Sequence, residues 1–415
     1  MEKLTGACVI GQSGGPTSVI NSSVLGAIEA ALAAPEITQV LGADHGITGV
    51  LNDILFDMGL EDPSELALLR NTPSSELGSC RYKMADPEKD DTDYRRILEV
   101  FKKHNVRYFF YNGGNDSMDT CSKISAFMEK SGYACRVMGI PKTIDNDLNG
   151  TDHCPGFGSA AKFIATVCME ISKDARVYNS GQITVIEIMG RNAGWLTGAA
   201  ALASAHGAGP DLIYLPELPF DMEAFLERVE QLYKTQGSVL IAASEGIRDK
   251  DGVFIAEYGS NGLAEKDAFG HSQLGGLAAV LADIIKKRTG AKVRGIELSL
   301  LQRCGAHLAS QTDIDEAYAA GKAAVESAVS GESGKMVAFV REGKNGGYIC
   351  RTALVPLSEA ANFEKKVPRE WINSDGTGVT QDFLDYVSPL IQGEPQRALE
   401  GSLPRFARLK KIKAE

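Results

Sequence analysis

The sequence predicts an α/β protein with parallel-rich sheets, helices on both faces and a ligand crevice at the strand ends. Three observations carry this. Short apolar runs repeatedly end in a Gly-rich or polar turn and pass into a helical stretch. The polar tips fall at the carboxyl ends of those runs, where open α/β sheets bind ligands. The chain has 415 residues, too many for one ordinary core, so two or three domains are expected. Its 44 glycines fall largely where apolar runs end.

The first unit is a strand over 7–10, a loop Gly-Gln-Ser-Gly-Gly-Pro-Thr over 11–17 and a helix over 18–32. Such a loop places backbone N–H groups at a helix start, where an anion is welcome. It matches neither the Walker A spacing nor the dinucleotide fingerprint, so anion cradle and plain tight turn stay open. A short strand follows over 38–42, then a loop over 44–50 and a short helix over 64–69. Arg81 lies in a loop of small residues, where it either clamps a phosphate or is an ordinary surface arginine.

Residues 93–103 have helical periodicity. A strand over 106–111 ends in the turn Asn-Gly-Gly-Asn-Asp-Ser over 112–117, and a helix runs over 118–130. A buried strand ending at Met138 runs into Gly-Ile-Pro-Lys-Thr-Ile-Asp-Asn-Asp over 139–147. This places Lys142, Thr143, Asp145 and Asp147 at one sheet edge. One cation, one hydroxyl and two carboxylates can hold a polyanion, orient an alcohol and take its proton, the inventory of a phosphoryl-transfer site. A solvated Asx-rich turn is the bland alternative.

Further along, helix is expected over 159–172 and strand over 181–189. Met-Gly-Arg at 189–191 then opens a helix that continues to 205. Arg191 stands at that transition, as a phosphate clamp or an ion-pair partner. Strands over 211–216 and 238–244 flank an amphipathic helix over 221–233, and the second ends at Glu245-Gly246. Residues 249–272 read as loop and 275–287 as helix. A strand over 292–301 carries Arg294, with Gln302-Arg303 at its end. A helix over 312–330 is capped by Thr312 or Asp313. Hairpin strands over 335–340 and 347–351 are joined by the turn Asn345-Gly346-Gly347. The remainder, 357–415, is mixed, and its basic run at 410–413 reads as a solvated terminus.

The formal net charge is −11, which argues against a nucleic-acid binder but not against an anionic small substrate in a locally basic pocket. No signal peptide is visible, and no apolar run approaches the length of a membrane span. The eight cysteines form no CxxC pair and read as reduced, mostly buried side chains of a cytoplasmic protein. The six histidines do not cluster at ligand spacings, so structural zinc is not expected.

In order along nearly the whole chain, these residues resemble the phosphofructokinase family. The features are Ser13-Gly-Gly15, a Gly-Gly-Asn-Asp-Ser loop at 113–117, the Gly-Ile-Pro-Lys-Thr-Ile-Asp-Asn-Asp run, Met-Gly-Arg at 189–191, Glu245-Gly246, and Arg294 ahead of Gln302-Arg303. The resemblance implies two Rossmann-like αβα lobes with the active site in the cleft between them. Residues 1–157 with about 304–355 would form the phosphoryl-donor lobe, and 158–303 with about 356–415 the sugar-phosphate lobe with a C-terminal extension. A hinge is expected near 150–160.

ATP-dependent members carry glycine at the place of Asp116 and usually at that of Lys142. The aspartate and lysine here resemble the pyrophosphate-dependent branch. A carboxylate at Asp116 would repel the α-phosphate of ATP, and Lys142 would add charge for the small, dense pyrophosphate anion. The resemblance then implies reversible transfer from pyrophosphate to the 1-hydroxyl of fructose 6-phosphate. Asp145 would be the general base and Thr143 would orient the phosphoryl group. Lys142 and Arg191 would face its charge. Gly14, Gly15, Arg81, Gly114 and Asp116 would hold the donor. Met189, Gly190, Glu245, Arg294 and Arg303 would bind the sugar phosphate with Asp147. Asn115, Asp116 and Asp147 would hold Mg²⁺. Asn115 replaces the family's usual aspartate, and Gln182 and Leu300 replace an arginine and a histidine that grip the 6-phosphate in bacterial ATP-dependent members. A homodimer is expected. The competing readings are an ATP-dependent enzyme and a non-catalytic, sugar-phosphate-binding regulatory subunit. A Rossmann dehydrogenase fits poorly, since neither the glycine spacing nor a ribose-binding acid follows the first strand.

Overall fold

The computed structural model describes residues 3–259, 276–343, 347–361 and 363–415. The turn expected at 345–346, part of the loop over 249–272 and the start of the helix expected at 275 lie outside them. The strands in chain order are β1 (Gly6–Gln12), β2 (Ile37–Ala43), β3 (Leu55–Asp57), β4 (Val106–Gly113), β5 (Arg136–Pro141), β6 (Gln182–Ile188), β7 (Leu212–Tyr214), β8 (Ser238–Ser244), β9 (Val293–Glu297), β10 (Lys335–Glu342) and β11 (Ile349–Pro356). They form a seven-stranded sheet in the order β11-β10-β5-β4-β1-β2-β3 and a four-stranded sheet in the order β7-β8-β6-β9.

The second sheet is wholly parallel. In the first, only the edge pairs β10–β11 and β2–β3 are antiparallel. Strands covered on both faces need apolar residues at every position, and β1, β6 and most of β4 and β8 are buried throughout. From β1 the chain goes to β2 on one side and then to β4 on the other, so the loops after β1 and β4 open at the point where the strand order reverses.

Helix Phe157–Ala175 packs with β6 and β8 in one core cluster, and helices Ile20–Ala33 and Gln311–Ser330 pack with β1 and β4 in another. The latter helix is capped by Ser310, which accepts the Asp313 N–H, and not by Thr312 or Asp313 as expected. Asp313 has a different task. Its carboxylate accepts Gly156 N–H at 2.9 Å and Ser159 N–H at 2.8 Å, tying the two helices together at the start of Phe157–Ala175.

Residues 150–160 are largely buried and bonded. Thr151 Oγ1 accepts Phe339 N–H, Cys154 N–H donates to Asn146, and His153 pairs with Asp152 at 2.8 Å and Glu316 at 2.7 Å. The stretch over 189–205 differs from one continuous helix: an irregular turn runs to Gly194, followed by short helices Trp195–Ala199 and Ala201–Ala205.

The C-terminal stretch packs on both layers. Val367, Ile372, Phe383 and Tyr386 join the β6–β8 core around Trp195, whereas Leu357, Ala360 and Ala407 join clusters of the larger sheet. The basic tail keeps Lys410 and Lys413 exposed, but its backbone is paired with the larger sheet's layer. Glu61 accepts the Lys410 and Lys411 amides, and Ala414 N–H donates to Leu55 O. All eight cysteines are free. Among the described residues no helix is long and apolar enough to cross a membrane.

Helices Ile20–Ala33 and Gln311–Ser330 touch backbone to backbone. A Cβ added at Gly321 would lie 1.8 Å from Ser23 O, and one at Gly26 would lie 2.1 Å from Tyr318 O. Gly321→Ala gains about 1 kcal/mol of helix propensity, but displacing a fixed backbone carbonyl costs about 1–3 kcal/mol or more. We expect a net loss of stability, read as a lower urea midpoint at an unchanged m-value. A rise in the midpoint would show that the helices separate freely.

Candidate active site

The loops after β1, β4, β5, β6 and β9 converge on one cleft of about 770 Å³ between the sheets. The larger sheet contributes Gly14, Gly15, Arg81, Gly114, Asn115, Asp116, Lys142, Thr143, Asp145 and Asp147. The smaller contributes Met189, Arg191, Glu245 and Arg303. Sixteen residues are expected in the site, and the structure brings these fourteen together. Gly190 serves from behind, donating its N–H to Glu245 Oε1 at 3.3 Å while Ser244 Oγ donates to its carbonyl.

Arg294 departs from expectation. In the register Thr184↔Arg294 it sits in mid-strand, four residues before the cleft-facing turn that begins at Leu298, and β9 is an outer strand. The side chain therefore lies in a separate shallow depression with Gln182, 3.9 Å from Asp174. Only the chain beyond β9 turns into the cleft, with Leu300 and Arg303.

Lys142 is buried because the β5 end turns directly under the glycine loop. Its N–H donates to Gly113 O and its Nζ donates to Gly15 O at 2.6 Å. A Cβ at Gly15 would come within 2.9 Å of the Arg303 guanidinium, so glycine lets that cation lie close over the loop. Burial pulls the Lys142 ammonium down to about 8, against the Asp145 and Asp147 carboxylates; Arg303 and Arg81 pull in the same direction as burial.

Asp145 and Asp147 flank Asn146, a buried residue at φ 56°. Its amide accepts Cys154 N–H at 2.9 Å and donates to Tyr386 Oη at 2.8 Å. Asp145 N–H donates to Thr143 Oγ1, and Asn115 Nδ2 donates to Asp147 Oδ2 at 3.2 Å. Burial raises both carboxyl pKa values above the ordinary range. Glu245 raises that of Asp145 further, against Lys142 and Arg191, and Asp145 adds to that of Asp147. Burial also lifts Glu245 to about 7.

Of the ten buried side-chain polar atoms without a partner among the described residues, two belong to residues that line the cleft. Arg191 Nε carries an unused donor, and Asn115 Oδ1 an unused acceptor. Asn115, Asp116 and Asp147 line the same cleft and offer only oxygen donors, the kind a hard divalent cation takes. His153, Glu316 and Cys350 also bring ligating atoms within 4.8 Å of one another, outside the cleft. There the imidazole is 2.7 Å from the Glu316 carboxylate, shorter than the roughly 3 Å that two ligands about 2 Å from a shared metal would keep, so it is an ion pair. Burial works against charge on His153, but Asp152 and Glu316 outweigh it and raise the pKa.

Sequence reasoning missed several cleft residues. Ser13 and Ser117 lie in the loops already singled out, and Asn192 follows Arg191. Glu364 had no signal, because it sits in the C-terminal stretch without periodicity or motif.

The family model for phosphofructokinase matches residues 7–328. The pyrophosphate–fructose 6-phosphate 1-phosphotransferase of Halomonas elongata is 46% identical over 97% of this chain and 96% of its own. That of Methylococcus capsulatus is 46% identical over 96% of this chain and 94% of its own. The crystal structure of a pyrophosphate-dependent phosphofructokinase from Nitrosospira multiformis superposes with a TM-score of 0.89 at 39% identity, covering 99% of this chain and 98% of that one. The chain belongs to the phosphofructokinase family, alongside these pyrophosphate-dependent members.

Proposed function

We propose that the protein transfers a phosphoryl group reversibly from pyrophosphate to the 1-hydroxyl of fructose 6-phosphate, giving fructose 1,6-bisphosphate and phosphate. The observation that carries this is Lys142, a buried cation that joins the glycine loop to the Asp145–Asp147 turn. ATP needs room for its α-phosphate and adenosine, whereas a short polyanion needs concentrated charge. Lys142, Arg81, Arg191 and Arg303 supply that charge inside a protein of net charge −11. Asp116, in the first turn of helix Asn115–Lys130, opposes a longer donor.

The donor lies over Gly14, Gly15 and Gly114, with Arg81 and Lys142 on its oxygens. Met189, Gly190 and Glu245 line the sugar, and Arg303 holds its phosphate. Asp145 takes the 1-hydroxyl proton as the oxygen attacks the terminal phosphorus, because an alcohol is a weak nucleophile at its own pKa. Thr143 orients the phosphoryl group, and Arg191, with its unused donor, meets charge on it. Asn115, Asp116 and Asp147 would hold Mg²⁺, which when bound neutralises charge on the pyrophosphate oxygens.

We assign residues 1–157 with 304–355 to the donor lobe and 158–303 to the sugar-phosphate lobe, with 356–415 shared between them. A cytoplasmic homodimer is the expected form. The outer strand β9, carrying the half-exposed Arg294, is the edge offered to a second subunit, and there Arg294 would reach the 6-phosphate in that subunit's cleft.

The deciding assay is fructose 1,6-bisphosphate formation with Mg²⁺ and either pyrophosphate or ATP. Turnover with pyrophosphate alone is expected; turnover with ATP alone would refute the donor assignment. The double variant Asp116→Gly, Lys142→Gly should lose about 10²-fold or more in kcat/KM for pyrophosphate and gain measurable use of ATP. Asp145→Asn should lower kcat on the order of 10²-fold or more in both directions.

The pH profile of kcat/KM follows from the same groups. The acid limb should lie above the ordinary carboxylate range of about 4, because Asp145 must be ionised and burial raises its pKa. The alkaline limb should fall near 8, where Lys142 loses its proton in the free enzyme. Lys142→Arg keeps the charge at all working pH and should remove the alkaline limb while lowering overall activity. An unchanged limb in that variant would assign it elsewhere.

A further inference from the structure

We propose that Glu364 is a sugar-binding residue, a carboxylate laid across the cleft by the C-terminal chain to accept hydrogen bonds from ring hydroxyls of the acceptor. The inference rests on reading the cleft as a sugar-phosphate phosphotransferase site. Glu364 lines the cleft, on an exposed segment joined to both lobes. On the donor side it forms an antiparallel bridge with Leu148, and Lys365 N–H donates to Asp147 O at 2.8 Å. On the sugar side Asn192 Nδ2 donates to Glu364 Oε1 at 2.8 Å.

The direction of that amide is determined, because Arg248 donates to Asn192 Oδ1 at 3.2 Å and Nδ2 must then face Glu364. Oε1 is thus held in place, and Oε2 accepts no hydrogen bond among the described residues. Glu364 adds negative charge beside the Asp145 and Asp147 carboxylates. A carboxylate in that company repels phosphate oxygens and welcomes neutral donors. A ketose phosphate offers such donors in its ring hydroxyls, and pyrophosphate offers none. Glu364 and Glu245 then serve the sugar while the four cations serve the phosphates. This gives the C-terminal extension a part in sugar selection.

The test is steady-state kinetics with pyrophosphate and Mg²⁺ on the full chain and its Glu364→Gln and Glu364→Asp variants. Losing a charge-assisted hydrogen bond to a hydroxyl should raise the KM for fructose 6-phosphate about 10-fold or more in Glu364→Gln. The accompanying fall in kcat should be smaller, the KM for pyrophosphate should hold, and Glu364→Asp should recover part of the loss. An unchanged KM for the sugar phosphate overturns the proposal. So does an equal rise in both KM values, or a changed Mg²⁺ dependence, which would make Glu364 a metal ligand. If the wild type transfers nothing from pyrophosphate, the functional reading fails and not this one. Calorimetric titration of fructose 6-phosphate into the wild type and Glu364→Gln still decides it, through weaker binding or the same binding.

Discussion

The cleft depends on one backbone constraint, the left-handed conformation of buried Asn146. A non-glycine residue at φ 56° costs about 1–2 kcal/mol, least for Asn and Asp. Two hydrogen bonds to its amide offset that cost, from Cys154 N–H and to Tyr386 Oη. The turn it makes directs both Asp145 and Asp147 toward the cleft. Tyr386 in turn donates to Asp152 O, and Asp152 is held by Arg341 and His153. The orientation of the carboxylates therefore rests on the C-terminal helix Gln381–Val387 as much as on the motif itself.

The electrostatics follow from that packing. Desolvation is the largest influence on Lys142, Asp145, Asp147 and Glu245 alike, and it disfavours the charged form of each. Cations and carboxylates confined in one cleft then compensate one another. That compensation is incomplete, since Arg191 Nε is buried without an acceptor. A polyanion would supply the missing acceptors. Overall acidity is no obstacle, because surface charges beyond about 8–10 Å are screened at physiological salt while buried ones are not.

What the sequence made legible was local. A strand, a glycine turn and a helix can be recognised within thirty residues, so the loops of Gly14, Asn115 and Asp145 were placed at one edge, whereas that of Arg191 faces them from the second sheet. What it hid was set by register and by distant partners. Arg294 looks like its neighbours in a strand-end motif, but the pairing with Thr184 leaves it in mid-strand on an outer edge. Asp313 looks like a helix cap, but Gly156 and Ser159 compete for its carboxylate and Ser310 caps instead. Glu364 is placed by a bridge to Leu148, a contact that no periodicity announces. The backbone pairing of the basic tail was hidden because Glu61, its partner, is far away in sequence.

The raised acids also bear on reversibility. In the proposed mechanism Asp145 takes the 1-hydroxyl proton in one direction and must return it in the other. A carboxyl at its ordinary pKa of about 4 is a poor acid near pH 7, because almost none of it carries a proton. Burial of Asp145 beside Glu245 moves its pKa toward neutrality, where both protonation states are populated. The same low-dielectric packing that makes three buried carboxylates costly to gather thus gives one of them a proton affinity suited to both directions. A solvated turn of identical sequence would keep the residues and lose that property. The chemistry is therefore a consequence of where Asn146 and Tyr386 put the motif, and not of the motif alone.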